Sequence, residues 1–187
     1  MSAKRDVAVI VGSLRKGSLN RMTARALQAL APEGLALELV EIRDLPLYDQ
    51  DLDGAAPPAP WVAFRERIRR CDAVLFVTPE YNRSVPGALK NALDVGSRPY
   101  GQSAWARKPA AIVSVSPGAI GGFGANHHLR QSLVFLDMPA LQQPEAYVGG
   151  AAALFDERGE LEVDATREFL RRLLEAFAAW IERNAAR

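Results

Sequence analysis

Residues 7–20 read VAVIVGSLRKGSLN: five apolar residues, a glycine, then a run rich in hydroxyls and cations. Two later stretches share the design. Residues 73–79 read AVLFVTP and residues 110–118 read AAIVSVSPG. A strand apolar at every position has both faces covered, and such strands belong to parallel sheets packed between helices. Leu35 to Ile42 alternates instead, which suits a strand at the sheet edge, and Ala146-Tyr147-Val148 is a weaker fifth candidate.

Helical spacing fills the intervals. Leu19, Met22, Ala26 and Leu30 form one stripe, and Trp61, Phe64 and Ile68 a second. Pro86 to Val95 starts with a proline in its first turn, where a missing N–H costs nothing. Leu129, Leu133 and Leu136 mark a fourth helix, and Leu170, Leu173, Leu174, Phe177 and Ile181 a fifth. Strand and helix alternate throughout, so the expected fold is α/β with right-handed crossovers. Residues 51–60 and 151–164 are expected loops, the second turning at Glu157-Arg158-Gly159.

The chain has 187 residues, of which 49% are hydrophobic and 24% charged. That length suits one domain over residues 1–187, large enough to fold without staples. The 23 basic and 22 acidic residues nearly cancel, which argues against a broad nucleic-acid surface. Cys71 is the single cysteine, so an internal disulfide and a CxxC pair are excluded. No apolar run is long enough for a membrane span or, after Lys4 and Arg5, for a signal-peptide core. The expectation is a cytoplasmic protein that touches neither membrane nor nucleic acid.

Ligands of an open parallel sheet bind beyond the carboxyl ends of its strands. The segment after the first strand, Gly12 to Asn20, brings Ser13, Arg15, Lys16, Ser18 and Asn20 to the start of a helix. Donors and dipole there favour an anion such as phosphate. The P-loop lysine is missing, because Gly17 is followed by Ser18-Leu19, and the dinucleotide fingerprint fails at Leu14. A polar β–α turn with a serine cap is the plainer reading of Ser18. The segment after the second apolar strand, Thr78 to Gly87, is stiffened by two prolines and carries Tyr81 in a loop. Its backbone from Glu80 to Asn82 is suited to the edge of a flat heterocycle. The third segment, Ser116 to Gly124, has glycines at 118, 121, 122 and 124, which permit close backbone approach.

Three stretches in this order, GSLRKGSLN (12–20), TPEYNRSVPGALKNALD (78–94) and the region from GGFG to LRQSLVFLDMP (121–139), resemble the NAD(P)H-dependent FMN reductases, in particular their quinone and chromate reductase branch. The resemblance covers about residues 6 to 182. It implies a three-layer flavodoxin-like fold with five parallel strands in the order 2-1-3-4-5. It also implies one non-covalent FMN per subunit, NADPH or NADH as reductant, and self-association as a dimer or tetramer. By position the phosphate loop falls on Ser13, Arg15, Ser18, Leu19 and Asn20. The flavin-edge loop falls on Pro79, Glu80, Tyr81 and Asn82 with Ser84 close by, and the glycine loop on Ser116 and Gly118. Where the branch often carries Arg and Tyr, this chain has Phe123 to His128, which bears on subunit contacts and acceptor choice.

The implied activity is two-electron transfer by hydride to a quinone, with chromate, azo compounds or free flavin as other acceptors. The cofactor does the chemistry, so no catalytic side chain is required. Two other readings stand beside it: a flavodoxin-type electron carrier, which the near-neutral charge disfavours, and a phosphate-ligand module without redox chemistry. His127 and His128 point about 100° apart on a helix, and no metal site is expected. Cys71 is expected to be a buried structural thiol. The arginines at 65, 67, 69, 70, 167, 171 and 172 are expected on solvated helix faces.

Overall fold

The computed structural model describes residues 4–185. The element order is β1 (Arg5–Val11), α1 (Leu19–Ala29), β2 (Leu35–Val40), α2 (Ala59–Arg70), β3 (Ala73–Thr78), α3 (Gly87–Gly96), β4 (Ala110–Val115), α4 (Phe123–Phe135), β5 (Ala146–Val148) and α5 (Asp164–Asn184). All neighbouring strands pair in parallel, in the order β2-β1-β3-β4-β5. The alternating strand β2 and the three-residue strand β5 are the edges, as the weaker apolar patterns require.

The sheet divides the core. Val7, Val9 and Val11 of β1 point toward α1 and α5, together with Leu75, Val77, Val113 and Val115. Ala8 and Ile10 point the other way, toward α2, α3 and α4, with Val74, Phe76 and Ile112. Every residue of β3 and β4 is buried. The α5 stripe Leu170, Leu173, Leu174, Phe177 and Ile181 is buried as its spacing predicts.

The buried face of α1 differs from the apolar stripe. Asn20, Thr23, Ala24 and Leu27 are buried, while Leu19, Met22, Ala26 and Leu30 are only partly covered. Small and hydrogen-bonded side chains let this helix lie close to the sheet. Thr23 Oγ1 donates a hydrogen bond to Leu19 O at 2.9 Å. The second helix begins at Ala59, with Pro60 inside its first turn rather than in the preceding loop.

Arg65 overturns the expectation of a solvated face. It forms a bidentate ion pair with Asp53, both contacts 2.8 Å, and the two side chains are 4% and 3% exposed. Its Nε also donates to Val95 O at 2.8 Å, and its guanidinium lies over the Trp61 ring. Trp61, Phe64 and Ile68 fill the face of α2 that the apolar pattern marks, and Arg65 lies between Trp61 and Ile68. The pair is thus sealed beneath the loop that carries Asp53. Cys71 is buried as expected, its Sγ donating to Ile68 O, and burial pushes its thiol up.

Removing Asp53 strands a buried cation, which costs about 3–5 kcal/mol. Asp53→Ala is therefore expected to lower the unfolding free energy at pH 7 by that amount in urea titrations. The Arg65 guanidinium holds the Asp53 carboxyl below its ordinary value. A depressed carboxyl stabilises the fold above its unfolded pKa and loses that contribution as pH falls through the folded one. The gap between wild type and variant should narrow only below about pH 4. A loss under about 1 kcal/mol at pH 7 is incompatible with a sealed pair.

Candidate functional site

Three loops leave the carboxyl ends of β1, β3 and β4, and specific contacts draw them together. A Cβ on Gly12 would lie 3.2 Å from Pro79 Cδ and from Thr78 Oγ1, so the first two loops touch at a position where glycine leaves the room. Asn20 Nδ2 donates to Val115 O at 3.4 Å, joining the start of α1 to the end of β4. Glu80 Oε2 accepts from Ala125 N at 3.0 Å, joining the second loop to the start of α4.

The first loop is rich in unmet donors. Among the described residues, the backbone N–H groups of Ser13 through Ser18 donate to no protein acceptor. Arg15 and Lys16 are exposed and make no ion pair with a described residue. Ser18 caps α1 by accepting from Arg21 N at 3.3 Å, which leaves its hydroxyl proton free for a ligand. Arg43 donates to Leu14 O and steadies the loop from the β2 side. This donor set is what an anion needs.

Asn20 carries a more selective signal. The side chain is buried, and its Oδ1 has no hydrogen-bond partner among the described residues. An unmet buried acceptor costs about 1–3 kcal/mol, so such an atom points to a missing donor. A phosphate dianion offers acceptors only. A polyol hydroxyl offers the proton that Oδ1 requires.

The second loop is a tight turn. Tyr81 and Ser84 exchange backbone hydrogen bonds of 3.2 and 3.0 Å. Asn82 and Arg83 between them have φ of 52° and 62°, the signature of a type I′ turn. Asparagine tolerates that region; arginine is strained there. The N–H groups of Glu80, Asn82 and Arg83 have no acceptor among the described residues, and the Tyr81 ring is half-exposed. Ser84 Oγ pairs with His128 Nδ1 at 3.0 Å.

In the third loop, Gly118 N donates to Ser116 Oγ at 3.1 Å, and Ser116 is fixed to Val148 and Ala151 by backbone hydrogen bonds. A Cβ on Gly121 would sit 2.6 Å from Tyr147 C, so the chain there passes directly against β5. The stretch that departs from the branch pattern forms an aromatic stack. Phe123 lies 4.3 Å from the His127 ring and 5.4 Å from the Tyr147 ring, and His127 Nε2 is 2.9 Å from the Tyr147 hydroxyl. Burial, with Glu145 alongside, pushes the Tyr147 phenol up to about 12. It therefore keeps its proton at neutral pH. Among the described residues there is no cluster of metal-ligating side chains and no helix long and apolar enough to cross a membrane.

The model of NADPH-dependent FMN reductases matches residues 5–153. The chain belongs to the NADPH-dependent FMN reductase family. A quinone reductase of Pseudomonas putida is 68% identical over 186 residues, spanning all of both chains. A 2-hydroxy-1,4-benzoquinone reductase of a Burkholderia species is 46% identical and covers 94% of this chain and 95% of its own. The solved flavoenzyme NAD(P)H:(acceptor) oxidoreductase FerB of Paracoccus denitrificans superposes with a TM-score of 0.91 at 43% identity, covering 97% of this chain and 100% of that one. The protein is thus an oxidoreductase that uses FMN with NAD(P)H as co-substrate.

The site fits that flavin by its donor set. Unmet N–H groups and free cations suit the phosphate, and the Asn20 acceptor suits the hydroxyls of the ribityl chain. The turn at 81–84 offers unpaired N–H groups to a flat ring. Sequence reasoning brings Ser13, Arg15, Ser18, Leu19, Asn20, Pro79, Glu80, Tyr81, Asn82, Ser84, Ser116 and Gly118 to this end of the sheet, and the structure gathers them there. It misses two things: that the Glu80 side chain is occupied by α4, and that Asn82-Arg83 adopts left-handed backbone. The Asn82 signal is readable in principle, because asparagine favours such turns; the partner of Glu80 lies 45 residues away.

Proposed function

We propose that this chain, acting as a single domain over residues 1–187, carries two electrons from NAD(P)H to a quinone in the cytoplasm. The observation that supports the flavin assignment most strongly is the unmet Asn20 Oδ1 beside the unpaired N–H groups of Ser13 to Ser18. The acceptor class rests on full-length relatives named for quinones. Chromate, azo compounds and free flavin are further acceptors of the same open site. A nicotinamide nucleotide as reductant suits an intracellular place of work.

In this reading Ser13, Arg15, Ser18 and Leu19 hold the phosphate, and Asn20 accepts from the ribityl chain. Pro79, Glu80, Tyr81, Asn82 and Ser84 border the ring, and Ser116 and Gly118 support it from the β4 side. When bound, FMN supplies a ring that accepts and returns a hydride. With the three loops around one ligand at one switch point, one face of the bound ring is taken to stay open. Donor and acceptor must then use that opening in turn. Unpaired N–H groups around Glu80 to Asn82 would favour negative charge on the bound ring. A net charge of +1, with Arg15 and Lys16 free, does not suit a carrier steered by acidic patches.

Self-association has a surface to use. Val134 and Phe135, adjacent in the last turn of α4, are 80% and 78% exposed. Phe135 borders a cleft of about 200 Å³ between α3 and α4, lined also by Leu93, Ser97 and Leu136. Two large apolar side chains side by side in water mark a contact surface. Light scattering should show a dimer or tetramer, and Phe135→Glu should shift it toward the monomer. A wild-type monomer at micromolar concentration contradicts this.

Charge-assisted hydrogen bonds contribute about 1.5–3 kcal/mol each. Arg15→Ala is therefore expected to weaken FMN by about 10- to 100-fold in fluorescence titrations and leave riboflavin nearly unchanged. Equal losses for both ligands sink the phosphate assignment. Steady-state kinetics with NADPH and a benzoquinone should give parallel double-reciprocal lines, with excess quinone competing against NADPH. Intersecting lines, the mark of a ternary complex, contradict a single shared opening.

A further inference from the structure

Helix α4 starts without a cap of its own. Its N-cap position is Gly122, in the left-handed region at φ 77° and with no side chain to accept a hydrogen bond. The third residue of a helix has an N–H that a capping side chain ordinarily satisfies. In α4 that residue is Ala125, and its N–H is taken by Glu80 Oε2 at 3.0 Å, from a loop 45 residues earlier. The Glu80 side chain is only 15% exposed. Its other oxygen lies 3.6 Å from the Arg83 guanidinium across the turn. Helix and loop meet so closely that a Cβ on Gly124 would lie 2.8 Å from Arg83 O and 2.9 Å from Glu80 Oε2. One turn further along α4, His128 holds Ser84 at 3.0 Å.

The turn needs such support. Two consecutive non-glycine residues with positive φ persist only where surrounding contacts hold them. The carboxylate of Glu80 is also spoken for, so this residue has its backbone, not its side chain, to offer a ring.

We propose that Glu80 is a positioning residue for the flavin: its carboxylate straps the 79–84 turn to the uncapped start of α4 and so fixes two walls of the flavin slot relative to each other. The inference rests on FMN lying between these two loops, as proposed above. Its effect falls on the ring end of the cofactor and not on the phosphate, which the 12–20 loop holds.

The test titrates flavin-free protein with FMN and with riboflavin, reading quenching of flavin fluorescence, and records thermal unfolding of each flavin-free variant. Losing a charge-assisted hydrogen bond that sets a binding wall should weaken both flavins about tenfold or more in Glu80→Ala. The ratio of the two affinities should stay that of wild type, unlike Arg15→Ala. Glu80→Gln keeps an acceptor for Ala125 N without the charge, and a neutral bond is roughly half as strong. It should fall between wild type and Glu80→Ala. Affinities within twofold of wild type in folded Glu80→Ala, even with a lowered unfolding temperature, reduce Glu80 to a structural cap and overturn the proposal. Loss of FMN alone overturns it too, since that places Glu80 at the phosphate. If Glu80→Ala does not fold, Glu80→Gln decides, and unaltered binding there overturns it. Failure of the wild type to bind either flavin removes the FMN assignment itself, and the strap falls with it.

Discussion

A parallel sheet covered on both faces meets its backbone hydrogen-bonding needs internally everywhere except at its ends. That constraint organises this molecule. Strands β1, β3 and β4 are sealed between two helical layers, so unmet polar groups collect where their chains emerge. The N–H groups of Ser13 to Ser18 and of Glu80, Asn82 and Arg83, unpaired among the described residues, are the consequence. A ligand that brings acceptors to that edge completes the hydrogen bonding that the sheet leaves open. The buried Asn20 Oδ1 shows the same deficit with the opposite sign, an acceptor waiting for a donor.

Such an edge is useful only if its loops are held in register. The core does this with polar contacts rather than with apolar packing alone. Asn126, fully buried in the first turns of α4, donates to Ser114 Oγ and Ala146 O and accepts from Arg130, so one side chain anchors the helix to β4 and β5. Asn91 on α3 plays a similar part for the segment after β2, accepting from Tyr48 N and donating to Leu45 O and Pro46 O. The Arg65–Asp53 pair then closes that segment over α2. Hydrogen bonds of this kind fix one arrangement, because a slipped alternative leaves a buried group unmet.

The outer side of the glycine loop has a different character. Phe123, His127 and Tyr147 make a compact aromatic stack against β5, and Val134 and Phe135 extend the apolar surface of α4. His127 and His128 are sequence neighbours with separate employment. One faces Tyr147 and the other Ser84, as their 100° separation on a helix requires.

The amino-acid sequence by itself determined the layers. Apolar runs at 7–11, 73–77 and 110–115 have no stable home except the middle of a covered parallel sheet, and the stripe from Leu170 to Ile181 must face it. It also placed the candidate ligand residues, because strand ends in such a sheet define a single ligand-binding edge. Tertiary structure alone decided how side chains at that edge are used. Whether Arg65 is solvated depends on Asp53 in a loop twelve residues earlier, which local charge patterning does not register. Whether Glu80 meets a ligand or a helix depends on Ala125, brought within 3.0 Å by a crossover connection. Periodicity reports which face of an element is buried. It carries no information about which distant backbone group will be left short of a partner, and that shortage is what recruits a polar side chain.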